Sequence, residues 1–62
     1  MVLRKGSRGN EVKELQEFLG IGADGVFGPG TEAAVKAWQK ENGLVDDGIV
    51  GPATLDCMGL VG

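Results

Sequence analysis

Laid against itself at an offset of 23 residues, the chain repeats. The segment VKELQEFLG from Val12 falls on VKAWQKENG from Val35, and DGVFGPGT from Asp24 falls on DGIVGPAT from Asp47. Between residues 12–31 and 35–54, nine of twenty positions are identical: Val, Lys, Gln, Gly, Asp, Gly, Gly, Pro and Thr. A period of this length implies stacked supersecondary units, each unable to bury its apolar face alone. Two helix-loop units and a third partial helix use up the 62 residues, so the repeat describes one closed miniature domain spanning 1–62 and not an open array.

The unit carries readable start and stop signals. Pro29 and Pro52 follow Gly28 and Gly51, and proline suits the first helical position because its missing N–H is no loss there. The first helix is expected to open at Ser7, whose hydroxyl would cap the first turn. All three helices end alike, with Gly20 before Ile21, Gly43 before Leu44 and Gly59 before Leu60, so that glycine turns left-handed and the next apolar residue folds back. The spacing predicts helices over 9–19, 30–42 and 52–58, an all-α three-helix fold.

The same alignment names a core. Val12, Val35 and Met58 share one repeat position, and Leu15 and Trp38 share another three residues on, which is helical spacing on one face. Phe18, Leu19, Ala34 and Leu55 are expected to fill in around them, with Ile21 and Leu44, and Val26 and Ile49, adding the loop contribution. Asp24-Gly25 and Asp47-Gly48 read as tight turns, since Asp bonds its own downstream backbone and Gly takes positive φ freely. Short extended segments around 26–27 and 49–50 are expected to pair weakly. Gln16 and Gln39 fall at one helical position, where an amide that donates and accepts ties a helix to its loop. Thr31 and Thr54, in first helical turns, read as structural.

Composition narrows the function. Folding buries only roughly 60% of the surface of so short a chain, which disfavours a deep catalytic cavity and hence a complete enzyme. The net charge of −3 argues against a nucleic-acid or anionic-membrane partner. It is uneven: Arg4, Lys5, Arg8 and Lys13 against Glu11 give the first thirteen residues +3 and leave −6 for the rest. One Cys, Cys57, and no His leave no zinc site or Cys/His nucleophile within the chain, and no cofactor is expected. Cys57 reads as a small buried residue, and nothing requires a dimer. No apolar run approaches the ~20 residues that span a bilayer, and the start MVLRK lacks a secretory pattern.

The order LRKGSRGNEVKELQEFLG, DGVFGPGTEAAVKAWQKENGL, DGIVGPATL resembles the small peptidoglycan-binding domain that accompanies bacterial and phage cell-wall hydrolases, from Leu3 to about Leu60. Two DG-x-x-GP-x-T copies around a V-K-x-W-Q helix carry the resemblance; the loop from Gly20 to Asp24 is shorter than the family's usual connection. The resemblance implies a non-catalytic three-helix module that holds a covalently linked lytic enzyme, such as an endolysin or autolysin, on murein. It places the site of action at the bacterial cell wall or periplasm, with a phage-encoded parent released from the cytoplasm as one arrangement. With Met1 as the native start, the hydrolase follows the module. A similar fold also serves as a prodomain or protein-binding unit, which stands as the alternative.

Five residues are candidates for ligand contact. Arg8, at the opening of helix one, suits a bidentate pair with a stem-peptide carboxylate, with Arg4 and Lys5 assisting. Asp46 has no turn requirement of its own and suits sugar hydroxyls or a peptide amine. Asp24 and Asp47 are explained by their turns yet flank the same loops, and Phe27 is a candidate groove wall. The ligand is a glycan strand or a stem peptide. Trp38, aligned with Leu15, reads as core and not as a sugar platform. The two Asp-Gly loops lack the alternating oxygens and closing Glu of a calcium loop.

Overall fold

The computed structural model describes residues 2–60. Three helices make up the fold, α1 (Asn10–Leu19), α2 (Pro29–Glu41) and α3 (Pro52–Met58), each within about a residue of its expected bounds. Pro29 and Pro52 open α2 and α3 behind the extended Gly28 and Gly51. All three helices close with the return bond expected of a left-handed glycine end: Ile21 N–H donates to Gln16 O (3.1 Å), Leu44 N–H to Gln39 O (2.9 Å) and Leu60 N–H to Leu55 O (3.0 Å).

The start of α1 differs from expectation. Gly9 precedes the helix without a side-chain cap. The Ser7 hydroxyl accepts from Arg4 N–H (3.1 Å), closing a turn upstream of the helix. The cause is a competing use of the backbone: Ser7 O accepts from Phe27 N–H (2.9 Å), which holds Ser7 against the loop before α2.

That contact belongs to a larger correction. Segments 26–27 and 49–50 pair with the N-terminal arm, through two isolated antiparallel bridges, Leu3 with Val50 and Arg8 with Val26. Leu3 and Val50 exchange both backbone bonds, at 2.9 and 2.7 Å. Farther along, Gly6 N–H donates to Phe27 O (2.9 Å) and Gly9 N–H to Gly25 O (3.0 Å). The arm lies outside the repeat and joins its two loops.

This pairing sets the side-chain register, because adjacent residues of an extended segment face opposite ways. Phe27 and Val50 turn inward and are fully buried beside the buried Leu3, while Val26 and Ile49 turn outward at 42% and 40% exposure. The core comprises Leu3, Val12, Leu15, Phe27, Val35, Val50, Leu55 and Met58, flanked by Leu19, Trp38 and Leu60. Phe18 is not part of it: at 42% exposure it stands edge-on to Trp38, ring centroids 5.7 Å apart. Cys57 is exposed, against its expected burial.

At one turn, glycine is required twice over. Gly48 has φ +76°, and a Cβ there would lie 2.9 Å from Glu32 Cγ and 3.1 Å from Lys36 Cε. The second loop is thus seated directly on the side of α2.

Candidate functional site: two repeat-related grooves

Each repeat builds the same polar ladder. In the first, Gln16 Nε2 donates to Asp24 Oδ1 (2.9 Å), Val26 O (3.0 Å) and Thr31 Oγ1 (3.0 Å), and Gln16 Oε1 accepts from Gly25 N–H (2.9 Å). In the second, Gln39 Nε2 donates to Asp47 Oδ1 (3.4 Å), Ile49 O (2.9 Å) and Thr54 Oγ1 (3.3 Å), and Gln39 Oε1 accepts from Gly48 N–H (3.0 Å). Each Asp also closes its turn, Asp24 Oδ1 accepting from Val26 N–H and Asp47 Oδ1 from Ile49 N–H, both at 2.9 Å. Both amides are buried, so these bonds replace water the glutamines have lost. The tie between helix and loop expected of the two glutamines is present, and the threonines are among its acceptors.

Beside each ladder runs a groove. The first, about 330 Å³, has Gln16, Asp24 and Thr31 as its polar wall, Ile21 and Val26 as its apolar wall, and the bare backbone of Gly22, Gly28 and Gly30. The second, about 280 Å³, repeats this with Gln39, Asp47 and Thr54, then Leu44 and Ile49, then Val45, Gly51 and Ala53, with Pro52 added. The second is smaller and more apolar because Val45 and Ala53 stand where the first has Gly22 and Gly30.

The candidate residues are not gathered in one place. Asp24 lines the first groove and Asp47 the second. Phe27, the candidate wall, is 1% exposed within the core, and the outward Val26 takes the wall instead. Arg8 and Val26 are opposed without bonding each other, the flanking bonds running from Phe27 N–H to Ser7 O and from Gly9 N–H to Gly25 O. In such a pair the side chains stand close on one face, which sets Arg8 beside the groove-lining Val26, although Arg8 is not itself among the residues that line the first groove. Asp46 is exposed and lines neither groove. Ile21, Leu44, Thr31, Thr54 and the glycines of the lining were not singled out from sequence as ligand contacts. The signal was present in the repeat, since four of its nine identical pairs (Gln, Asp, the Gly before Pro, and Thr) line the two grooves.

The hydrogen bond from Val26 N–H, aided by that from the Gln16 amide, holds the Asp24 carboxyl below its ordinary pKa. A carboxylate whose folded pKa lies under its unfolded value of about 3.9 contributes stability that is present above that value. The contribution fades as pH falls through the folded pKa. Between pH 5 and pH 2 the melting temperature of the wild-type chain should therefore fall more steeply than that of Asp24→Asn, which has no proton to take up. Parallel slopes in thermal melts across that range would contradict the assignment.

Residues 8–58 match the family model described as "Putative peptidoglycan binding domain". The chain belongs to the peptidoglycan-binding domain family. It is 47% identical over 62 residues to the zinc D-Ala-D-Ala carboxypeptidase of Streptomyces albus G, a match covering 87% of this chain and 24% of that enzyme. It is 42% identical over 69 residues to the N-acetylmuramoyl-L-alanine amidase CwlL of Bacillus licheniformis, covering 98% of this chain and 19% of that one. The chain thus spans about a quarter or less of these relatives. The crystal structure of the SleB N-terminal domain superposes with a TM-score of 0.92 at 35% identity, covering 95% of this chain and 89% of that one. The three-helix fold is that of the family, and the chain is a peptidoglycan-binding module of the kind carried by cell-wall hydrolases.

Proposed function

We propose that this module is non-catalytic, acts as a monomer at the bacterial cell wall or periplasm, and anchors a covalently linked hydrolase through the Asp24 groove, with Arg8 opposite the groove-lining Val26. The observation that carries the reading is the family match over 8–58, which takes in both ladders and both grooves. The groove supplies a carboxylate, a hydroxyl and an aliphatic wall, groups suited to hydrogen bonding with modest apolar contact. Affinity per contact is low in such a site, and tethering supplies the benefit. A hydrolase held on insoluble substrate by a short linker meets an effective substrate concentration on the order of mM.

Co-sedimentation with washed, protein-free sacculi tests this, with chitin and cellulose as controls at physiological salt. The wild-type chain is expected to pellet with sacculi alone. Asp24→Asn keeps an Oδ1 acceptor for the turn but replaces the second carboxylate oxygen by a donor, and should weaken retention by about tenfold, the worth of one charge-assisted bond. No pelleting at high micromolar concentration would favour the protein-binding alternative.

A further inference from the structure

We infer that the chain carries two copies of one ligand site, the Asp24 groove and the Asp47 groove, each taking a methyl-bearing secondary amide, so that one chain engages two units of a repeating polymer. The inference rests on the reading of the chain as a peptidoglycan-binding module. Its own support is the hydrogen-bond inventory of the two ladders. Both glutamine amides are fully used, Nε2 by three acceptors and Oε1 by a backbone N–H.

What remains unspent is the same in each groove. The Thr31 and Thr54 hydroxyls, 5% and 6% exposed, accept from the glutamines, and among the described residues neither donates a bond. Asp24 and Asp47 use Oδ1 for the turn and the glutamine, while Oδ2 has no partner among the described residues. Each groove therefore offers one donor and one acceptor. They are held near each other because both side chains bond the same Nε2, within 3.0 Å in the first ladder and 3.4 Å in the second.

A secondary amide answers that pair, its carbonyl accepting from Thr and its N–H donating to Asp. The aliphatic wall, Val26 with Ile21 or Ile49 with Leu44, suits an attached methyl, and among the described residues no aromatic ring lines either groove to stack a sugar face. An acetamido substituent on a glycan and an alanyl unit of a peptide share this chemistry. The longer bonds and smaller volume of the second groove make it the weaker copy.

Backbone amide NMR reads the two sites separately, through Gly25 and Val26 for the first groove and Gly48 and Ile49 for the second. Two probes distinguish the sources: a peptide-free N-acetylglucosamine–N-acetylmuramic acid disaccharide and a sugar-free alanyl stem tripeptide. One probe is expected to shift both amide sets in the wild-type chain. Asp24→Asn should abolish the first response alone and Asp47→Asn the second alone, and the double variant should lose retention on sacculi by more than either single variant.

Thr31→Val and Thr54→Val give a second, independent pair should either asparagine variant lose its helical circular dichroism. Response of only one groove, or responses indifferent to all four variants, would overturn the inference. So would wild-type pelleting on sacculi with neither groove perturbed, which leaves the module reading intact. Absence of wild-type pelleting would overturn that reading and this inference together.

Discussion

Phe27→Ala should leave the chain largely unfolded at room temperature. Phe27 is among the largest fully buried side chains and belongs to the cluster formed with Leu3, Val12, Leu15, Val35, Val50, Leu55 and Met58. Truncating a buried phenylalanine costs about 3–5 kcal/mol, from lost transfer energy and from the cavity left behind. A single core in a domain of this size rarely supplies more than about 3–5 kcal/mol in total, so the loss is comparable to the whole stability. Loss of helical circular dichroism and of a cooperative urea transition is the expected result. A cooperative urea transition with a midpoint near that of wild type would show that the residue is not central. Phe18→Ala is the paired control: that ring is substantially exposed and meets Trp38 edge-on, so its loss should cost under about 1.5 kcal/mol.

Gln16→Ala should be nearly as damaging, although the buried side chain it truncates is polar. The substitution strands the Gly25 N–H and takes a donor from Val26 O, Thr31 Oγ1 and Asp24 Oδ1. An unsatisfied buried polar group costs about 1–3 kcal/mol, and a combined loss of about 2–4 kcal/mol lowers the melting temperature by roughly 10–25 °C in a domain of this length. Gln39→Ala should cost less, because two of its ladder bonds are stretched to 3.4 and 3.3 Å. Equal melting temperatures for the two variants would mean that the difference in bond length carries no energy. A drop of only a few degrees for Gln16→Ala would mean that water enters the first loop and satisfies it.

The contrast between these two residues marks how far the sequence could be read. Gln16 and Gln39 were legible because each recurs at one helical position ahead of an Asp-Gly turn, and an amide there has few other uses. Phe27 was not, because the loop segments Val26-Phe27 and Ile49-Val50 are apolar at both positions and offer no alternation to say which side chain turns inward. Phe18 misled for a related reason: its spacing from Leu15 suits the core face, but Trp38 covers that part of the core and leaves the phenylalanine at the rim. Ser7 had the residue type of a helix cap, yet its backbone was taken by the loop before α2.

The site divides in the same way. Asp24 and Asp47 were found with their turns, and the repeat had already paired them. That they face two separate grooves with one plan was not apparent until Ile21, Thr31 and the glycines were placed beside the first and their counterparts beside the second. Arg8 was set opposite the groove-lining Val26 by a bridge between residues 18 apart in sequence.

By itself the sequence determined the three helices, their proline starts and glycine ends, the two Asp-Gly turns and the family. Each of these depends on interactions among residues a few positions apart, or on a motif read in order. Only the tertiary structure decided which loop residues enter the core, where the N-terminal arm lies and how many grooves there are. Those outcomes turn on which distant backbone takes up the loops' free N–H and C=O groups. Once Leu3 bonds Val50 and Ser7 bonds Phe27, the alternation of an extended chain leaves the inward and outward residues no further choice.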